Sequence, residues 1–236
     1  MEEAYQIFSY LPIRYKNDEE AEYVQYLWRA FENNYQNEQY QFAFMSYHML
    51  FMCFVYFTIW KIKSNHPEDY ENVILGFSKI ENAKVPFDYS KCNESAVFTL
   101  LRYWKVPIKD IETYQKLVED RNKIAHSNGN IFYKNRRSLD DKLSNVLSIC
   151  DQIQQKTKST LEQSYKDFLS DNYSIEDSPF STLEELLSDE LLGKHYISEK
   201  DMQLCCNCNI LSLSSSENFN SIFTMHTDIT NLYKDE

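Results

Sequence analysis

Glycine and proline are scarce in this chain, at 3 and 5 of 236 residues. Hairpin turns, left-handed corners and sheet edges draw on those two residues, so their near absence argues against a β-rich fold and for helices. Three glycines also exclude most loops that cradle phosphates. There is no Gly-rich phosphate loop, no dinucleotide fingerprint, no His-Glu-x-x-His and no Gly-x-Ser-x-Gly. The six cysteines are scattered, and the start, Met1-Glu2-Glu3-Ala4, lacks the basic opening of a cleavable signal. A cytoplasmic protein with reduced thiols is the expectation.

Aromatic side chains are abundant, with 18 Tyr and 15 Phe, and the hydrophobic share of 43% is that of a chain with a real core. The net charge of −12 makes a poor footprint for a general nucleic-acid coat. It is unevenly spread. Residues 121–142 hold Arg121, Lys123, Lys134, Arg136, Arg137 and Lys142 against Asp140 and Asp141, a local excess of four positive charges. Such a strip suits a small, local contact with a polyanion, or else forms a solvated face.

Along the chain, a short first helix breaks at Pro12, and Asp18 opens a second through about Asn34 with acids in its first turns. Phe42 to Trp60 is uncharged for 19 residues, long enough to cross a bilayer. Its aromatics, Met, Cys, Ser46, His48 and Thr58 fit the central helix of a bundle better, so no membrane span is expected and His48 reads as a satisfied core histidine. Residues 64–93 look loop-like. Asn93 can cap a helix through about Trp104, and Pro107 restarts the chain into a helix from about Ile108. After Gly129 a loop should carry the basic strip. Ser138 with Asp141 then starts a long amphipathic helix to about Ser170. Ser181 and Ser198 open shorter acidic helices, and the tail from about Leu211 shows little pattern. The expected fold is all-α: a helical bundle over residues 1–170 and an acidic helical extension over 171–236.

The helix from Ile108 closes on Arg121-Asn122-Lys123-Ile124-Ala125-His126. At about 100° per residue, Ile111, Tyr114, Leu117, Val118, Ile124 and Ala125 share one apolar stripe. Arg121 falls inside it. A guanidinium keeps its charge and is rarely buried without an anion, so this position asks for a carboxylate or a phosphate. His126 projects from another face, in the last turn before an Asn128-Gly129 stop.

This string resembles the signature of the HEPN superfamily, small all-α domains whose motif is R-x(4–6)-H, often with a polar residue directly after the Arg. Here it stands as Arg121-Asn122-x-x-x-His126, and with the surrounding helices the resemblance covers roughly residues 20–170. In one branch of the family a modified Tyr stands two residues after the His; here that position is Asn128. The resemblance implies a metal-independent endoribonuclease acting as a homodimer, its motif helices meeting so that both Arg/His pairs line one cleft. It further implies a toxin or antiviral defence effector, restrained in some cases by an antitoxin or regulatory protein. Catalysis would fall to Arg121, His126 and Asn122, and RNA backbone contacts to Lys123, Lys134, Arg136 and Arg137, with no cofactor and no metal.

That chemistry is coherent. RNA carries its own nucleophile, the 2′-hydroxyl; the protein need only move protons and stabilise the crowded phosphate. A His titrating near neutrality moves protons. Arg offers a planar fork to phosphate oxygens. The products would be a 2′,3′-cyclic phosphate and a 5′-hydroxyl. In the rival reading Arg121 pairs with a buried carboxylate, His126 merely ends the helix, and a non-catalytic HEPN module binds a partner protein or a nucleotide. Cys205 and Cys208 have a C-x-x-C spacing with His226 downstream, but zinc needs a fourth ligand, so packing thiols are expected.

Overall fold

The computed structural model describes residues 1–126, 129–174 and 179–233. Among them there are helices and one isolated bridge, Pro12 to Ser198, but no strand. The fold is all-α. It divides into two compact units, residues 1–8 with 17–156, and residues 9–16 with 157–236.

The first unit is built from packed helices, two of them long and consecutive. Helix α1 spans Asp18–Gln36 and starts where Asn17 accepts a hydrogen bond from the Glu20 amide at 2.9 Å, with Asp18, Glu19 and Glu20 favourably placed in the first turn. Helix α2 spans Tyr40–Asn65, and every residue from Leu50 to Ile62 is buried. It is long and apolar enough to cross a membrane, yet 78% of its most apolar window is covered by the protein itself. Its composition thus has a packing explanation, as the helix the others surround.

Helix α3, Glu94–Val97, is capped by the Asn93 side chain and tightens into a 3-10 stretch, Phe98–Trp104. Its predicted inward residues, Val97, Leu100, Leu101 and Trp104, are all buried. Lys105 then turns the chain in a left-handed conformation (φ 59°) into helix α4, Ile108–Ala125. Ring contacts, one stacked and two tilted, tie these helices together. Phe31 meets Tyr47 at 5.1 Å, Phe51 meets Phe98 at 5.9 Å, and Phe98 meets Tyr114 at 6.0 Å.

Two local expectations need correction. The loop-like stretch 64–93 contains a short helix, Pro67–Val73, and 3-10 turns at Ser78–Ile80 and Pro86–Lys91. Proline at a first helical position is a start signal as much as a break, and the Asp88 carboxylate accepts from the Lys84 and Val85 amides. The long helix α5 runs Arg136–Asp171, ahead of the Ser138 start. Asn135 is its cap: its side chain accepts from the Ser138 amide at 2.9 Å, and the Ser138 hydroxyl donates to the Asn135 carbonyl instead.

The second compact unit begins within α5, at Thr157. The reason is what the later turns of α5 bury: Leu161, Tyr165, Phe168 and Leu169 share a core with the C-terminal segments. A short helix at Leu183–Leu186 is capped by Thr182, next to the Ser181 that the sequence suggested, and continues as a π-helical stretch, Leu187–Gly193. Helix α6, Glu199–Cys206, opens with a Ser198/Asp201 capping box. The tail that showed little pattern forms helix α7, Phe219–Leu232, burying Ile222, Met225 and Ile229. Three apolar residues on one stripe suffice there, diluted by the Ser, Asn and Thr that face outward.

Candidate active site at the end of the motif helix

Helix α4 ends one residue before His126. The His126 amide donates to the Asn122 carbonyl at 3.1 Å, and its own backbone has already left the helix (φ −91°, ψ 138°). Its imidazole is exposed. Ile111, Tyr114, Leu117 and Val118 are buried as the stripe requires, while Ile124 is half-buried and Ala125 exposed, so the stripe lifts off the core in the last turn. Asn128, with the helix stop assigned to it, lies outside the described residues.

The anion that Arg121 asks for is Glu94. The Arg121 Nη2 group lies 2.6 Å from Glu94 Oε2, with both side chains about a quarter exposed, at 26% and 22%. The same carboxylate oxygen accepts from His48 Nε2 at 2.9 Å. A carboxylate only accepts, so the His48 proton resides on Nε2, and the ring is fully buried on α2. Burial pushes the His48 pKa down, against the pull of Glu94, and keeps the ring neutral. Burial alone would raise the Glu94 pKa; hydrogen bonds from His48 and Arg121 outweigh it and hold the carboxyl down to about 2. Three residues far apart in sequence thus meet at one oxygen.

Sequence reasoning required a partner for Arg121 without finding it. Glu94 directly follows the Asn93 cap and sits where a helix start favours an acid. His48 is the one histidine in an uncharged apolar run. Those were the available signals, and only the packing of α2, α3 and α4 brings the three together.

The basic strip separates into distinct environments. Lys142 Nζ and Lys123 Nζ approach Asp120 at 2.7 and 3.3 Å. Burial raises the Asp120 pKa, but these two ammonium groups more than offset it and hold the carboxyl ionised. Arg136 and Arg137 are not in a loop, as expected, but in the first turn of α5, against the helix dipole. Arg136 lies over the Tyr35 ring at 5.0 Å, and Tyr35 donates to Asp140 at 2.7 Å. Lys134 and Arg137 are exposed. Among the described residues, the Asn122 side chain makes no hydrogen bond to His126, so the structure does not join the three motif side chains into one contact network within a single copy.

In the second unit Cys205 and Cys208 are buried thiols. His226 Nδ1 is hydrogen-bonded to the Tyr165 hydroxyl at 2.9 Å. Among the described residues no group of three His, Cys, Asp or Glu is placed to hold a metal ion. No protein-family model, no curated protein and no solved structure matches the chain. The reading of this site therefore rests on its own residues: a fixed, partly neutralised guanidinium, and an exposed imidazole at a helix end.

Proposed function

We propose that this protein is a HEPN-type endoribonuclease, working as a homodimer through its α4 helices in the cytoplasm, as a toxin or antiviral effector held in check by a regulatory protein. His126 moves the protons, taking one from the 2′-hydroxyl and giving one to the leaving 5′-oxygen; a dimer supplies two such imidazoles. Arg121 faces the phosphate with the donors that Glu94 leaves over, and Asn122 orients substrate beside it. Lys123, Lys134 and Arg137 contact the RNA backbone, with Arg136 held on Tyr35 as a more rigid contact. The observation that carries this reading is the exposure of His126 at the end of α4, in the motif that also carries Arg121.

The test is cleavage of mixed RNA by the purified full chain, with and without EDTA, beside His126→Ala. Cleavage that survives EDTA, ends in 2′,3′-cyclic phosphates and falls about 10²–10⁴-fold in the variant is expected. Undiminished cleavage by the variant, or none by the wild type, sinks the proposal.

One observation favours a second reading. Glu94 already answers the charge of Arg121 within one chain, as it would in a non-catalytic HEPN module that binds a partner protein or nucleotide. Arg121→Lys separates the two. It keeps a charge for Glu94 but loses the planar fork, so a ribonuclease loses turnover, whereas a module with a structural ion pair shows only a modest change in stability.

A further inference from the structure

Between α1, α2 and the Pro86–Lys91 turn lies a cavity of about 480 Å³. Small-molecule sites commonly fall at roughly 300–1,000 Å³. Buried Met52, Cys53 and Tyr56 form its floor, and Tyr23 and Phe87 wall it with their rings edge to face at 5.4 Å. Burial pushes the Cys53 thiol pKa up, so that side chain offers apolar surface and not a nucleophile.

Charge limits what can enter. Glu94 is neutralised by Arg121 and hydrogen-bonded by His48. Glu20 has a partner of its own, and Glu19 stands in water at the rim. The interior therefore holds no unanswered charge. A cation or an anion would leave its hydration shell there without gaining a counter-charge. A purely apolar guest is also a poor match, because two polar atoms of the lining would stay unpaired beneath it.

The first is the Tyr56 hydroxyl. Tyr56 is only 5% exposed, yet among the described residues its hydroxyl makes no hydrogen bond and is not closed off within the core. It opens on the cavity that Tyr56 lines. Burial, reinforced by the nearby Glu94, raises its pKa, so it stays a neutral O–H donor. The second is Glu94 Oε1. Arg121 and His48 engage Oε2, whereas Oε1 has no hydrogen bond among the described residues. Held ionised, this carboxylate only accepts. One donor and one acceptor above an apolar floor with aromatic walls match a flat molecule that carries one acceptor and one N–H, as a ring amide does.

We infer that this cavity binds a small neutral aromatic lactam, its carbonyl accepting from Tyr56, its N–H donating to Glu94 Oε1, and its ring received by Met52, Cys53, Tyr23 and Phe87. Neither Arg121 nor His126 lines the cavity. Glu94 serves both places, but the test below reads binding alone and so stands or falls apart from the ribonuclease reading.

The experiment is calorimetric titration of the full chain with 2-quinolinone, beside coumarin, the same bicycle with a ring oxygen in place of the N–H. The lactam should bind about tenfold or more tightly, since coumarin leaves Glu94 Oε1 unpaired and sets a lone pair against it. Tyr56→Phe deletes only the hydroxyl; it should weaken both probes about five- to tenfold and preserve their ratio. Naphthylmethylammonium and 2-naphthoate, charged bicycles, should both bind more weakly than the lactam. If Tyr56→Phe loses its helical circular dichroism, the ratio of lactam to coumarin on the wild-type chain carries the test. Equal binding of lactam and coumarin, a charged bicycle bound as tightly as the lactam, unchanged affinity in a folded Tyr56→Phe, or no binding of 2-quinolinone at millimolar concentration would overturn the assignment.

Discussion

Each unit contains an arginine paired with a carboxylate, and the two pairs differ mainly in what surrounds them. In the first unit Arg121 and Glu94 are 2.6 Å apart, about three-quarters covered, and share their oxygen with a buried histidine. In the second, Arg14 and Asp189 are 2.8 Å apart, but each side chain is about half exposed, at 49% and 51%. Water already solvates the second pair, so breaking it costs little. The first sits against the aromatic layers of α2 and α3, where losing one partner strands the other with few waters to turn to. Similar distances therefore do not mean similar energies. A charge that is sheltered and held can be spent on function; one that is solvated is mostly a matter of surface.

Removing one partner from each pair gives the widest separation. Glu94→Ala should cost about 2–4 kcal/mol, somewhat under the range for a fully buried pair because a quarter of each side chain still meets water. Urea titration followed by tryptophan fluorescence checks this cleanly, since Trp28, Trp60 and Trp104 all lie in the first unit. Asp189→Ala should cost at most about 1 kcal/mol, read by far-ultraviolet circular dichroism. Comparable losses in the two variants would erase the contrast.

Acid sharpens the comparison next. The folded Glu94 pKa, about 2, lies below its ordinary value of 4.5, so its contribution is complete above 4.5 and is lost as pH falls toward 2. His48 is also depressed from 6.5; the unfolded chain takes up its proton first, and stability begins to decline below 6.5. The fluorescence midpoint should thus fall in two stages on acidification. In Glu94→Gln the lower stage should shrink to what Asp120 and Asp88, also held down by their partners, contribute, and a profile identical to that of the wild type would remove Glu94 from the account.

Smaller effects follow at the two helix ends nearest the motif. Asn135→Ala removes the cap of α5 and should cost about 1 kcal/mol in the same titration. His126→Ala, exposed and past the end of α4, should change stability by less than about 0.5 kcal/mol. A larger loss would mean that the imidazole is structural, and would weaken its assignment to proton transfer.

Much of this molecule was legible before its tertiary structure. The start of α1 at Asp18, the Asn93 cap, the span of α4 and the all-α class followed from capping residues, periodicity and the shortage of glycine. The less readable places share a cause: local signals that are weak or that two neighbours supply equally well. Asn135 and Ser138 are both competent caps, and distance along the chain does not decide between them. Helix α7 buries only Ile222, Met225 and Ile229, a stripe too thin to stand out in a polar tail. The boundary between the units falls inside α5 because a continuous helix has no local mark where its neighbours change.

The sequence by itself determined that Arg121 needed an anion, because a guanidinium on an apolar stripe is unfavourable without one in any fold. It also placed His126 off that stripe by the angle a continued helix would give, although the chain leaves the helix at that residue. Which anion, and in what company, only the tertiary structure decided. Glu94 and His48 are separated from Arg121 by long stretches of chain, and neither is marked by spacing. Their meeting at one oxygen depends on how α2, α3 and α4 pack, a long-range outcome to which no local rule refers.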